Sequence, residues 1–171
     1  MNTLSNAQGE PVPARPAWHS DREEITAKAL NLLFADKYCN FKEESDREPL
    51  KRSLLNHYHP HIDEYDLCKY FEDDGWDVDR DFLTEIECVT SCMTSAIDEM
   101  EKEWFEKHHP VPPFEIGTEL KALSFKGKQD GVIDGIYEYS PATYTVVMND
   151  RAEGDTSRRL IKFEYAVKVS Q

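Results

Sequence analysis

The chain has 171 residues, 39% of them hydrophobic and 11% aromatic, enough for one ordinary domain or two small ones with a real core. Its 34 acidic and 20 basic residues leave a formal net charge of -14, which repels phosphate backbones and favours basic protein partners. No apolar run approaches the roughly 18 residues needed to span a bilayer, no signal-peptide pattern opens the chain, and Cys39, Cys68, Cys88 and Cys92 form no C-x-x-C pair, so the expectation is a soluble cytoplasmic protein with reduced thiols.

The charge is uneven. Residues 1–20 hold one acid and one base, residues 21–109 hold 24 acids and 11 bases, and residues 110–171 hold 9 acids and 8 bases. Residues 1–18, MNTLSNAQGEPVPARPAW, combine three prolines with small and polar residues and predict a flexible tail. The motif SDRE then occurs at Ser20–Glu23 and again at Ser45–Glu48, each time ahead of apolar residues at helical spacing. Both copies match a capping box, in which Ser covers an exposed backbone N–H and Glu reaches back. The first predicts a helix to about Ala35; the second predicts one that begins at Pro49 with Glu48 as its cap. A short helix is predicted over Asp63–Glu72, with Tyr65, Leu67, Cys68 and Phe71 available to pack. From Asp81 to about Lys107, Phe82, Ile86, Val89, Met93, Ile97, Met100 and Trp104 recur at steps of three and four, one apolar stripe on a long helix. Residues 110–113, Pro-Val-Pro-Pro, end it and form a stiff linker.

Beyond the linker the period changes. Residues 116–125, 131–139, 142–148 and 158–169 read as short strands rich in Val, Ile, Tyr and Thr, separated by turn residues. The order Gly117-x-x-Leu120, Gly131-Val132-Ile133-x-Gly135-Ile136-Tyr137, Tyr144-x-Val146 and Leu160-x-x-Phe163 resembles SH3-like barrels of the Tudor and KOW type. That resemblance spans about the last third of the chain. It implies a small barrel that binds protein or nucleic acid rather than a catalyst, and it transfers no specific ligand residue. The expected fold class is therefore α+β: a flexible tail (1–18), an acidic helical bundle (19–109), a Pro-rich linker (110–113) and an SH3-like antiparallel β-barrel (114–171).

One stretch concentrates the charge: EDDGWDVDRD, residues 72–81, places six carboxylates around Trp76. Laid on an EF-hand from Asp77, it puts Phe82 where the turn glycine belongs and Cys88 where the bidentate Glu belongs, so it is no calcium loop. Part of the charge suits the N-terminus of the long helix. The surplus makes Asp73, Asp74, Trp76, Asp77 and Asp79 the candidate partner-binding patch, with Trp76 as an exposed anchor or, alternatively, as a core residue. Cys88 and Cys92, at i and i+4, and His57, His59 and His61 are zinc-ligand types without a zinc-finger spacing, so no metal or cofactor is expected. No G-x-S-x-G, phosphate loop or H-E-x-x-H is present, which argues against an enzyme.

The function expected is that of a non-catalytic interaction protein whose helical domain and barrel bind a macromolecule, a basic protein above all. An alternative is nucleic-acid mimicry: small acidic chains of this composition resemble phage-encoded inhibitors of restriction or CRISPR enzymes in general character, and Asp81, Glu85, Asp98, Glu99, Glu101, Glu103 and Glu106 would supply a carboxylate array along the long helix. A second alternative is direct nucleic-acid binding by a barrel face of Tyr137, Tyr139, Tyr144, Arg158 and Arg159, supported by Lys121, Lys126, Lys128, Arg151 and Lys162; the overall charge opposes it.

Overall fold

A computed structural model describes residues 2–35, 41, 44–124, 127–152 and 154–169. Among them the chain forms α1 (Trp18–Ala35), α2 (Glu44–His57), α3 (Glu64–Asp73), α4 (Arg80–His108), β1 (Glu119–Ser124), β2 (Gly127–Ile136), β3 (Thr143–Met148), β4 (Arg159–Lys162) and a 3-10 turn at Phe163–Tyr165. The class is α+β, helices followed by a small curled antiparallel sheet. None of the described helices is long and apolar enough to cross a membrane.

The chain divides into two compact units, residues 16–101 and residues 1–15 with 102–171. In the first, Ile25, Leu30 and Leu33 of α1, Leu50 and Leu54 of α2, Leu67 and Phe71 of α3, and Ile86, Val89, Met93 and Ala96 of α4 make one core. These are the positions at which apolar residues recur every three or four, so each helix buries one face. Helix starts differ in detail from the predicted capping boxes. Asp21, not Ser20, takes up the entry to α1: its backbone leaves helical geometry and its carboxylate accepts the Ala17 N–H at 2.8 Å. α2 begins at Glu44 and runs through Pro49, which lies past the first turn and so forgoes the helical hydrogen bond that its missing N–H would make. Asp63 caps α3 by accepting from Tyr65 N–H, as its position before the helix allows, while the Tyr65 ring is exposed instead of packed. α4 holds 29 residues, a rod of about 43 Å. It ends where His109 adopts a left-handed backbone (φ 45°) and returns its N–H to Phe105.

In the second unit the strand order is β1-β2-β3-β4, all antiparallel. Residues 167–169 come back to β1, with Lys121 N–H on Val167 O at 2.7 Å and Val169 N–H on Glu119 O at 3.1 Å, which curls the sheet into a small barrel-like form. The last predicted strand stops early, at Lys162. Phe163 and Glu164 are both buried, and neighbouring residues of a strand point to opposite faces, so the chain turns in 3-10 form to bring both inside. A bulge between Ile133 and Gly135 bends β2. At Gly131 the need for glycine is steric: a Cβ would lie 2.7 Å from Val146 Cγ1 and 2.8 Å from Val147 O. Gly131→Ala should therefore cost about 1–3 kcal/mol, read as a lower denaturation midpoint of the full chain, whereas an unchanged midpoint would mean that the β2–β3 pairing opens freely.

Residues 2–15, expected as a tail, belong to this unit. Leu4 and Val12 are buried, Ser5 pairs with Pro11, and Val12 donates to Leu4 O at 2.8 Å. Asn6 builds the turn between them by accepting from Gln8 N–H and Glu10 N–H, both at 3.0 Å. Asn2 N–H reaches Glu164 O at 2.8 Å. The expected linker is drawn in as well, since Pro110 is buried and Val111 donates to Ser5 O.

Candidate functional site

The acidic stretch follows α3 as a tight turn. Asp74 and Gly75 return their N–H groups to Tyr70 O and Glu72 O, and Gly75 takes φ +92°, a conformation natural to glycine. The turn sends Trp76 back toward the helices, where its ring lies 5.9 Å from Phe41, 5.6 Å from Phe71 and 6.0 Å from Phe82. Its indole N–H donates to Ser53 Oγ at 3.2 Å, and Ser53 in turn donates to Asp74 Oδ2 at 2.5 Å. Of the two readings open for Trp76, the packed one describes it, half-buried against the aromatic core.

Asp74 also faces His57, whose Nε2 lies 3.3 Å from Oδ2, close enough for charge attraction yet poorly aligned for a hydrogen bond. The imidazole is stacked on Tyr70 at 4.8 Å with planes 3° apart. The Ser53 hydroxyl foremost, opposed by desolvation and helped by His57, holds the Asp74 carboxyl below the usual carboxylate range. A carboxyl whose folded value is depressed adds stability that is complete above its unfolded value of about 4 and is lost as pH falls toward the folded one. Asp74→Asn should accordingly lower stability at neutral pH, with a deficit that shrinks below about pH 4; chemical denaturation across that range checks it, and a pH-independent deficit would contradict the linkage.

Asp79 is engaged too, accepting the Phe82 N–H at 2.9 Å as α4 begins. Of the five predicted partner-binding residues, then, Trp76, Asp74 and Asp79 have structural work, and all four aspartates, Asp73 and Asp77 among them, are exposed. Glu72 and Asp81 are exposed beside them. Glu72 and Asp73 stand in the last turn of α3, which contains no basic residue, and a negative charge at a helix C-terminus opposes the dipole. Helix stability does not account for carboxylates at those two places.

The barrel face is only partly assembled. Tyr144 is 1% exposed and lies in the core beside Phe163, with its hydroxyl donating to Phe114 O and accepting from Phe114 N–H; it cannot stack on a base. The cause is register, since Tyr144 alternates inward with Val146 on β3. Tyr137 and Tyr139 do form an edge-to-face pair at 5.5 Å, Tyr139 being 81% exposed. Arg158 is exposed but its Nε is held by Asp134 at 2.7 Å, and Arg159 is half-buried on β4. Lys126 lies outside the described residues, as does the side chain of Lys128.

Among the described residues no group of three or more His, Cys, Asp or Glu side chains is placed to hold a metal ion. Cys68 is buried, Cys88 and Cys92 are half-buried, and Cys39 lies outside the described residues. Sequence reasoning missed the ion pair of Arg15 with Glu164 and the Trp76–Ser53–Asp74 chain. Its only signal for the former was a single base within residues 1–20 and a carboxylate set between Phe163 and Tyr165. A scan against protein-family models, a search of curated proteins and a search of solved structures each found no match.

Proposed function

We propose that the chain is a non-catalytic interaction protein whose acidic helical unit binds a basic protein partner. The carrying observation is the division of charge between the units: residues 16–101 hold 22 acids and 9 bases, a net -13, while residues 1–15 with 102–171 hold 12 acids and 11 bases, a net -1. A field of one sign steers an oppositely charged partner and loses force with salt. The exposed carboxylates Glu72, Asp73 and Asp77, with Asp81 at the start of α4, form the patch on which this reading rests. Mimicry of nucleic acid is the narrower form, in which the basic partner is a DNA- or RNA-handling enzyme. α4 supports it only at its ends, because residues 88–97 contain no charged side chain, a gap of about 15 Å along the rod.

Affinity capture of partners at low and at moderate salt tests the proposal. Glu72→Lys, Asp73→Lys and Asp77→Lys together should abolish salt-sensitive capture while leaving the fold intact, because positive charge at the end of α3 agrees with the dipole. Capture that survives this reversal would remove the patch from the interface. A captured set rich in nucleic-acid enzymes would favour mimicry; binding of oligonucleotides to the chain itself at low salt would favour the barrel face instead.

A further inference from the structure

Within the helical unit, a groove of about 420 Å³ is lined by Tyr58, Pro60 and Ile62 from the chain after α2, by Glu64 at the start of α3, and by Glu87, Thr90, Ser91, Thr94 and Ser95 of α4. Its size is that of a small-ligand site. It coincides with the charge-free middle of α4, where a run of hydroxyl residues stands in place of carboxylates. The lining holds two carboxylates, four aliphatic hydroxyls and a phenol, and no basic side chain.

Much of the donor capacity of this lining is already spent. The Thr94 hydroxyl donates to Thr90 O at 3.1 Å, and the Thr90 hydroxyl lies 3.1 Å from Glu87 O and 3.3 Å from Glu64 Oε1, with only one proton to give. What Glu64, Thr90 and Thr94 have left is acceptors, and beside them stand the Glu87 carboxylate, exposed at the rim, and the Ser91 and Ser95 hydroxyls, which accept as well as donate. Such a surface is matched by a ligand that only donates, and among common organic groups that means an alkylammonium or a guanidinium. Two further residues feel the same field, for burial foremost and the Glu64 charge as well push the Tyr58 phenol and the Cys68 thiol up.

We infer that this groove binds an organic cation through N–H donation to Glu64, Glu87 and the hydroxyls of Thr90, Ser91 and Thr94. It rests on the partner reading above for its natural source, a basic side chain of the partner, while its chemistry stands on the groove alone. The aliphatic part of such a chain would lie against Pro60 and Ile62, which supply the apolar side of the lining.

The test is a titration of the full chain at low salt with N-acetyl-arginine amide, with spermidine and with N-acetyl-citrulline amide, followed by backbone amide shifts. The expected result is saturable shifts at residues 58–64 and 87–95 with the arginine amide, with spermidine or with both, and none with the uncharged citrulline analogue. The tighter of the two cations identifies the source as a peptide side chain or a free polyamine. Glu64→Gln with Glu87→Gln should weaken the binding by about tenfold or more. Glu87→Gln alone serves as the second variant, because that side chain is exposed and the substitution leaves the fold untouched; it should weaken binding in the same direction. No saturable shift with either cation, equal binding of citrulline amide, or binding undiminished in both variants would overturn the inference. The probes require no partner, so failure of the titration and failure of the capture experiment are separate outcomes.

Discussion

Arg15→Ala should destabilise the barrel unit by about 3–5 kcal/mol, a large part of the 5–15 kcal/mol that domains of this kind possess. Arg15 and Glu164 are both buried, with Nε on Oε1 at 2.7 Å and Nη2 on Oε2 at 3.2 Å. The guanidinium also donates to Pro141 O at 2.8 Å and to Ala142 O at 3.0 Å, and it lies 4.9 Å from the centre of the Trp104 ring. Removing it strands a buried carboxylate, while Pro141 O and Ala142 O keep their bonds from the Thr143 hydroxyl and the Phe163 N–H, and the penalty comes from that orphaned charge more than from the lost attraction. Arg15→Lys should recover only part of the loss, because an ammonium cannot reproduce the fork. Arg15→Met combined with Glu164→Leu should recover most of it by leaving no charge unpaired. Denaturation midpoints of the three variants decide the matter: if Arg15→Ala matches the parent, the pair is not buried in solution.

Trp76→Ala should cost about 3 kcal/mol, the lower end of the range for aromatic truncation because the ring is only half-buried. It removes the contacts with Phe41, Phe71 and Phe82 and leaves Ser53, which is 1% exposed, without its indole donor. Trp76→Phe should retain most of the packing and lose about 1 kcal/mol with the hydrogen bond. Partner capture by the folded Trp76→Phe variant should equal that of the parent. Should Trp76→Ala leave the midpoint unchanged while abolishing capture, the ring would be a contact residue instead of a core one.

The two tryptophan readings show where sequence patterns lose their power. Ile86, Val89, Met93 and Met100 announced α4 because helical periodicity is a local property, repeated over many turns. The four strands were legible as β-branched and aromatic runs between turn residues, though the last of them ends at Lys162 and not at 169. The orientation of Trp76 depended instead on one glycine turn and on Ser53, 23 residues earlier. Tyr144 was placed on the wrong face because aromatic character alone does not set direction; the register of β3 does, and in it Tyr144 alternates inward with Val146. The segment holding Leu4 and Val12 gave no sign of packing, since two apolar residues among prolines lack a period and their partners lie beyond residue 100. As for the candidate patch, its charge was visible in the sequence. Which carboxylates are engaged was not, because caps and hydroxyl donors are settled by tertiary placement.

The pairing of Arg15 with Glu164 joins residues separated by 149 positions, and this bears on how the chain is made. During synthesis, domains ordinarily fold as they emerge, the N-terminal one first. Here residues 2–15 are components of a unit whose other residues follow the helical one, so their bonds with Trp104, Val111, Pro141, Ala142 and Glu164 wait until those residues have been made. The helical unit, a continuous stretch from 16 to 101, can complete itself while the opening segment waits. That segment then closes a loop of 149 positions between Arg15 and Glu164, a slow step because the entropy of closure comes before any contact rewards it. A chain stalled before Trp104 would carry a finished acidic bundle and Leu4 and Val12 without the cluster that buries them, a form open to chaperones and proteases.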